Sequence, residues 1–195
     1  MERDKGIFIG GPMPQLAMFL VIAACTGDQT NDKIVVVTGG GHSSTSTEDF
    51  DANRFSCCAD PAITDVISAY IDLNDALADD APERAQAAGQ ALAAQATQAA
   101  RAAQLSEADR ALAAQIASLT KAWEGSDIAG VRGTLQEVTA AALPLAKAHK
   151  GDGPLTAVIA FCPMAPGRWL QSKPDLRNPY YGAQMLSCGI FEEST

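Results

Sequence analysis

The chain is predicted to be all-α, with an antiparallel four-helix bundle followed by a C-terminal tail. Between residues 60 and 150, apolar residues recur at helical spacing and the connections between the apolar stretches are short. Hydrophobic residues make up 47% of the chain and aromatic residues only 6%. Much of the hydrophobic content is Ala, which favours closely packed helices over strands.

Start and stop signals divide this region into four predicted helices. Asp60-Pro61 supplies an N-cap and a first-turn proline for the first helix. Residues 79–82 end that helix and begin a second, Ala- and Gln-rich one. A third begins at Ser106, and the turn at residues 125–127 precedes a fourth, which Pro144 is expected to kink near its end.

The first 24 residues resemble a bacterial signal peptide. The apolar run Leu16–Ala24 is too short to span a bilayer but has the length of a signal-peptide core. Ile22-Ala23-Ala24-Cys25 resembles a lipobox, so we expect lipidation at Cys25 and attachment to the membrane by that lipid alone. By resemblance to the lipoprotein sorting pattern, Thr26 in place of Asp after this cysteine implies the periplasmic side of the outer membrane. The alternatives are a plain cleaved signal or a misassigned start.

Residues 25–59 are predicted to be a flexible tether. Gly, Ser, Thr and Asp are frequent between Thr26 and Asn53, a composition typical of linkers. His42, which follows three glycines, is interpreted as a solvated linker residue. The bundle is then expected over residues 60–150, and the tail over residues 151–195 as part of the same domain.

Charge and motifs exclude several classes of function. The net charge of −9 lacks the basic footprint that nucleic-acid binding requires. No Ser-His-Asp, Cys-His or phosphate-loop pattern is evident, and the two histidines lie apart at 42 and 149. We therefore expect a protein that is not an enzyme.

The tail carries two thiol–thioether pairs. Cys162 and Met164 are two residues apart in a proline-constrained turn, and Met185 and Cys188 share one face of a helical turn. Soft sulfur donors select Cu(I), with Ag(I) as a possible surrogate. A structural zinc site would use Cys and His without Met. The pattern therefore predicts a four-sulfur Cu(I) site.

Three more residues are possible additional ligands. Cys57 and Cys58 lie just before the first predicted helix, where vicinal thiols can bind Cu(I) or form disulfides. His149 at the end of the fourth helix is well placed to interact with the helix dipole, and it is a spare ligand candidate.

The tail also resembles the C-terminal signature of the DUF3347 family, found in bacterial exported proteins and in periplasmic adaptor subunits of heavy-metal efflux systems. In this sequence the matching residues are Cys162, Pro163, Met164, Ala165, Trp169, Leu170, Arg177, Asn178, Pro179, Tyr180, Gly182, Met185, Leu186, Cys188 and Gly189. The resemblance extends over residues 60–189 and implies a helical bundle linked to copper or heavy-metal handling. It implies no reaction. Thr134 stands where some members carry a histidine, so a ligand from that helix is absent.

Two functional hypotheses follow. The first is an exported Cu(I)-binding protein that sequesters or buffers copper, or hands it to efflux components. The second is a structural module in which a Cys162–Cys188 disulfide pins the tail and residues 178–181 form a partner-docking surface, without metal. The metal hypothesis would fail if these two sulfurs were bonded and both thioethers were turned into the interior.

Overall fold

A computed structural model describes residues 46–123, 127–151 and 153–193, and these ranges contain five α-helices, a short 3-10 helix (Gly182–Gln184) and four strands. The helices are α1 (Thr47–Asn53), α2 (Pro61–Ala78), α3 (Pro82–Ala99), α4 (Glu107–Lys121) and α5 (Ile128–Ala148). The strands are β1 (Phe55–Cys57), β2 (Leu155–Phe161), β3 (Arg168–Gln171) and β4 (Ile190–Glu192).

The starts of α2, α4 and α5 follow local capping chemistry, whereas Ala81 at the start of α3 makes no side-chain capping hydrogen bond. The Asp60 carboxylate accepts a hydrogen bond from the backbone N–H of Ala62, with Pro61 at the first helical position. Ser106 caps α4 and Asp127 caps α5 in the same way. Because a side-chain oxygen satisfies an otherwise unpaired N–H, each cap specifies where its helix begins. The helix α5 continues through Pro144 to Ala148.

The four longer helices pack against their chain neighbours, and α2 also contacts α5. The most buried helix is α2, whose apolar stripe includes the fully buried Ile63, Ile67 and Tyr70. The buried face of α3 is made mostly of small residues with Leu92 at its centre, so its neighbours approach closely. Gly89 on this face lies against the ring of Trp123.

The sheet is antiparallel and is organised around β2. The first residues of β2 pair with β1, with Phe55 opposite Ala157. Its last residues pair with β3 and also with β4, so that Phe161 lies opposite both Arg168 and Ile190. Helices α2 and α5 pack on β3, and the fully buried Trp169 on β3 forms part of the shared core.

The predicted all-α fold, an antiparallel four-helix bundle with a loop-like tail, is therefore wrong. The residues that were predicted to be tail supply β2, β3 and β4, and β1 lies between α1 and α2. The strands β1 and β4 have three residues each, too few to show a period of two, and they form because β2 satisfies their backbone groups.

The predicted tether ends before residue 59. Ser46 makes a capping box with Asp49 that begins α1, and β1 follows almost directly. Phe50 of α1 packs edge-on against Phe191 of β4, with ring centroids 5.8 Å apart. The predicted signal peptide, the lipidation site Cys25 and the linker residue His42 lie outside the described residues. No helix in the described ranges has the length and apolarity needed to cross a membrane.

Candidate functional site

The pairing of β2 with β4 brings the two tail cysteines together. Cys162 directly follows β2, and Cys188 lies two residues before β4. Because Phe161 pairs with Ile190, the Cα atoms of the two cysteines are only 5.7 Å apart and their sulfurs form a disulfide. Cys162 is fully buried, whereas Cys188 is half-buried. The two thiols that sequence analysis expected to converge therefore do so, but bonded to each other.

The two methionines near this disulfide differ in exposure. Met185 is half-buried and lines, with Cys188 and Pro163, a cavity of about 510 Å³. Met164 is 68% exposed, and its backbone carbonyl accepts a hydrogen bond from the Tyr181 hydroxyl at 3.0 Å. Met185 packs against the core at its surface, whereas Met164 is exposed, so the two thioethers are not both buried. Of the two conditions that together would contradict the metal hypothesis, only the disulfide is therefore met.

Cys57 and Cys58 form a disulfide with each other and are fully buried. They lie at the opposite end of β2 from the tail cysteines, because Cys57 pairs with Leu155 while Cys162 follows Phe161. A strand of that length, seven residues, spans roughly 20 Å. The structure therefore does not bring Cys57 and Cys58 to the predicted tail site.

His149 is also remote from the tail cysteines. Its Nε2 lies 3.1 Å from a carboxylate oxygen of Asp109, and its carbonyl accepts a hydrogen bond from the N–H of Cys58. It occupies the C-cap of α5, the position at which a helix dipole favours a cation. Within residues 46–123, 127–151 and 153–193, no cluster of three or more His, Cys, Asp or Glu side chains is arranged to hold a metal.

Asn178 organises the segment that carries Met185 and Cys188, which we call the tail loop (residues 177–189). Asn178 is fully buried, and its side-chain oxygen accepts a hydrogen bond from the N–H of Tyr180 at 2.9 Å. Its own N–H donates to the carbonyl of Leu186 at 2.8 Å. The segment that sequence analysis offered as a docking surface thus faces the interior at Asn178 and Tyr180, and only Tyr181 is partly exposed.

Tyr180 joins the tail loop to the helices and to β3. Its ring packs edge-on against Trp169 with centroids 6.2 Å apart, and its hydroxyl donates to the carbonyl of Arg168 at 2.8 Å. The Thr139 hydroxyl lies 3.5 Å away and also contacts the hydroxyl of Tyr70 at 2.6 Å. Burial raises the pKa of both tyrosines, with Thr139 opposing the shift in each. These hydroxyls are therefore neutral hydrogen-bonding groups inside the core.

Sequence analysis missed the charged contacts between the tail loop and the helices. Arg132 on α5 donates through Nε to the carbonyl of Pro179 at 2.9 Å and through Nη2 to the carboxylate of Asp80 at 2.6 Å. Asp80 also accepts from the N–H of Ala183 at 2.8 Å. The Ala183 hydrogen bond, and then Arg132, hold the pKa of Asp80 below its ordinary value. No local pattern marks these partners, because they lie 47 to 103 positions apart.

Arg177 makes a second such connection. It is paired with Asp79 and lies 3.7 Å from a carboxylate oxygen of Asp75. Hydrogen bonding from Arg84, and then the charge of Arg177, hold the pKa of Asp79 below its ordinary value. Asp75 of α2 and Asp79, the residue after this helix, thus bind the tail, a role that no local pattern in the sequence indicates.

Residues 66–152 match the DUF3347 family, described as a protein of unknown function. The resemblance to DUF3347 is confirmed. The match covers α2 to α5 except the first residues of α2, and it ends before Cys162. The DUF3347 match thus rests on the helical layer and not on the tail residues that suggested it. No curated protein and no solved structure matches the chain significantly.

Proposed function

We propose that this DUF3347 protein is an exported Cu(I)-binding protein whose tail cysteines bind the ion when they are reduced. The observation that supports this most directly is the convergence of Cys162 and Cys188, whose Cα atoms lie 5.7 Å apart although 26 positions separate them. Thiolate is the donor that selects Cu(I) most strongly. In the disulfide form neither sulfur is a thiolate. Binding therefore requires thiol–disulfide exchange with an external dithiol, which is oxidised to its own disulfide as Cys162 and Cys188 become thiols.

The methionines supply the remaining donors in this proposal. A two-residue step separates Met164 from Cys162, and its exposed side chain is free to rotate toward the thiol. Met185 lines the same cavity as Cys188. A thioether is a soft donor like a thiolate, so both residues favour Cu(I) or Ag(I) over harder ions such as Zn²⁺.

Export is part of the proposal. The apolar run Leu16–Ala24 followed by Cys25 supports a lipoprotein leader, and two disulfides in the described residues are typical of an oxidising compartment. On this basis the protein is anchored by lipid on the periplasmic side of the outer membrane. There it sequesters or buffers copper, or hands it to heavy-metal efflux components.

The decisive experiment is Cu(I) competition against a chromophoric chelator, performed on oxidised and on reduced protein. We expect binding only after reduction, loss of binding in Cys162→Ser/Cys188→Ser, and retention in the matched control Cys57→Ala/Cys58→Ala. Met164→Leu/Met185→Leu should weaken binding about tenfold, which corresponds to about 1.4 kcal/mol. Thermal unfolding of that methionine variant should be unchanged, because Met164 is exposed and Met185 is half-buried.

Two results would contradict the proposal. The first is that reduced protein fails to withdraw Cu(I) from the chelator, which would show that its affinity for the ion is too low for the proposed function. Binding that survives removal of both tail cysteines but disappears with Cys57 and Cys58 would put the site elsewhere.

The observed disulfide favours a second candidate, a metal-free structural module. In that case Cys162–Cys188 serves to fix the tail, and the exposed apolar side chains Met164 and Ile190, 68% and 49% accessible, face a protein partner. Protein purified from its own compartment would then contain no free thiols in the tail. It would also remain unable to bind Cu(I) after reduction.

A further inference from the structure

We infer that Arg132 and Asp80 are positioning residues that hold the tail loop against the helices independently of the Cys162–Cys188 bond. The loop then remains in place when the disulfide is reduced, and the two thiols stay close together. This inference rests on the proposed function only for its consequence for Cu(I); the position of the loop is a separate, measurable property.

The first step concerns where the loop lies. It crosses the junction between α2 and α3, where Asp79 and Asp80 follow the last residue of α2. Arg132 reaches this junction from α5, with a side chain that is only 18% exposed. A half-buried guanidinium with several acceptors is far better fixed than an exposed ion pair.

The second step concerns what Arg132 joins. It donates hydrogen bonds to the carbonyl of Pro179 in the loop, to the carbonyl of Leu77 at the end of α2, and to the Asp80 carboxylate. The other oxygen of Asp80 accepts from the N–H of Ala183. One arginine and one carboxylate thus hold the loop at two places, four residues apart, and attach both to the end of α2.

The third step concerns the fit of the loop at this point. Gly182 has φ +55°, and a Cβ built on it would lie 2.2 Å from Asp80 Oδ1 and 2.4 Å from Arg132 Nη2. The loop backbone therefore passes directly against the charged pair, and a side chain at this position would fit only if Asp80 and Arg132 moved out of their contact.

The fourth step is that none of these contacts uses sulfur. The same is true of the Asn178 hydrogen bonds, of the contact between Arg177 and Asp79, and of the β2–β4 pairing that follows Cys188. Cleavage of the disulfide removes one connection among several. A loop that is already ordered loses little conformational freedom when it binds an ion, so its affinity is higher than that of a mobile loop.

Hydrogen–deuterium exchange of the full chain, oxidised and reduced, tests the inference. The probes are the amides of Asn178, Gly182 and Cys188, each of which donates a hydrogen bond within the loop. Reduction is expected to lower the global stability, so loop protection is measured relative to the buried amides of α2 in the same protein. In the wild type we expect this relative protection to change less than threefold on reduction. In Arg132→Gln we expect normal protection when oxidised and a loss of at least tenfold when reduced, with Cu(I) affinity lowered about tenfold. Arg54→Gln, in an exposed ion pair with Asp51, is the matched control.

A wild-type loop that loses its protection on reduction would overturn the inference, as would full protection in reduced Arg132→Gln. If the wild-type loop stays protected but reduced protein binds no Cu(I), the proposed function fails and the inference stands. If Arg132→Gln does not fold, Asp80→Asn serves instead. It removes the charge at a side chain that is 41% exposed, and it must show the same dependence on reduction.

Discussion

Cleavage of the Cys162–Cys188 bond is expected to lower the free energy of unfolding by about 3.5 kcal/mol at 25 °C. The bond joins positions 26 residues apart. Closing a loop of that size in the unfolded chain removes roughly 12 cal/mol/K of conformational entropy in the chain-entropy relation. For the adjacent Cys57 and Cys58, the same relation leaves only about 1 kcal/mol, because neighbouring residues are already constrained.

Urea unfolding with and without reductant separates the two disulfides. In Cys57→Ala/Cys58→Ala, reductant acts only on the tail disulfide and should cost about 3.5 kcal/mol. In Cys162→Ala/Cys188→Ala, reductant acts only on the vicinal pair and should cost about 1 kcal/mol. Both variants carry Cys25→Ser, so that no thiol outside the described residues contributes. Each variant is its own control, because the substitutions are identical in the two redox states.

Equal effects of reductant in the two variants would refute the entropic reasoning. A loss below about 1 kcal/mol for the tail disulfide would do the same, because the predicted effect scales with the size of the closed loop. The slope of the free energy of unfolding against urea concentration, the m-value, is compared as well. If it is the same with and without reductant, the effect of reductant is a change in stability and not in the residual structure of the unfolded state.

Three further predictions follow from the packing and the charges. Gly153→Ala would place a Cβ 2.0 Å from the carbonyl oxygen of Cys57, so it should lower the free energy of unfolding in urea by about 2 kcal/mol or more. Gly133→Ala is the control: it lies in a helix, its Cβ would have nothing within 4 Å, and the substitution should be neutral or stabilising. Tyr70→Phe removes a buried hydroxyl that lies 2.6 Å from that of Thr139 and should lower the free energy of unfolding, measured by calorimetry, by about 1 kcal/mol. Tyr181→Phe should lower it less, because the hydrogen bond of the Tyr181 hydroxyl is exposed. The lowered pKa values of Asp79 and Asp80 stabilise the folded state above pH 3.8, the ordinary pKa of an aspartate carboxyl group, and this stability is lost as the pH falls through their folded pKa values. Exchange protection of the tail loop should therefore weaken below pH 3.8 in the wild type and depend less on pH in Asp80→Asn. An identical acid response of the two proteins would contradict this assignment.

The helices could be predicted because their signals are local. The caps at Asp60 and Ser106 lie within three residues of the N–H groups that they satisfy, so their effect can be recognised in the linear sequence. The sheet could not be predicted in this way. The strand β1 pairs with residues about 100 positions later, and a three-residue strand has no period of its own.

The candidate site, like the fold, could be predicted only in part from the sequence. Residue chemistry alone identified Cys162, Cys188, Met164 and Met185 and left the metal site and the disulfide as alternatives. The tertiary structure brought the two cysteines together and separated Cys57, Cys58 and His149 from them, because the two groups occupy opposite ends of β2. It also revealed the contact of Arg132 with Asp80.

The sequence by itself thus determined where the long helices begin and which tail side chains have soft-metal chemistry. Only the tertiary structure decided which thiols meet, which thioethers face solvent, and that charged residues of α5 and the α2–α3 junction hold the tail loop. The physical reason is the separation along the chain between the groups that interact. A cap or a helical stripe is specified by neighbours within one or two turns, whereas a disulfide partner or a buried arginine's acceptor is specified by the path of the whole chain.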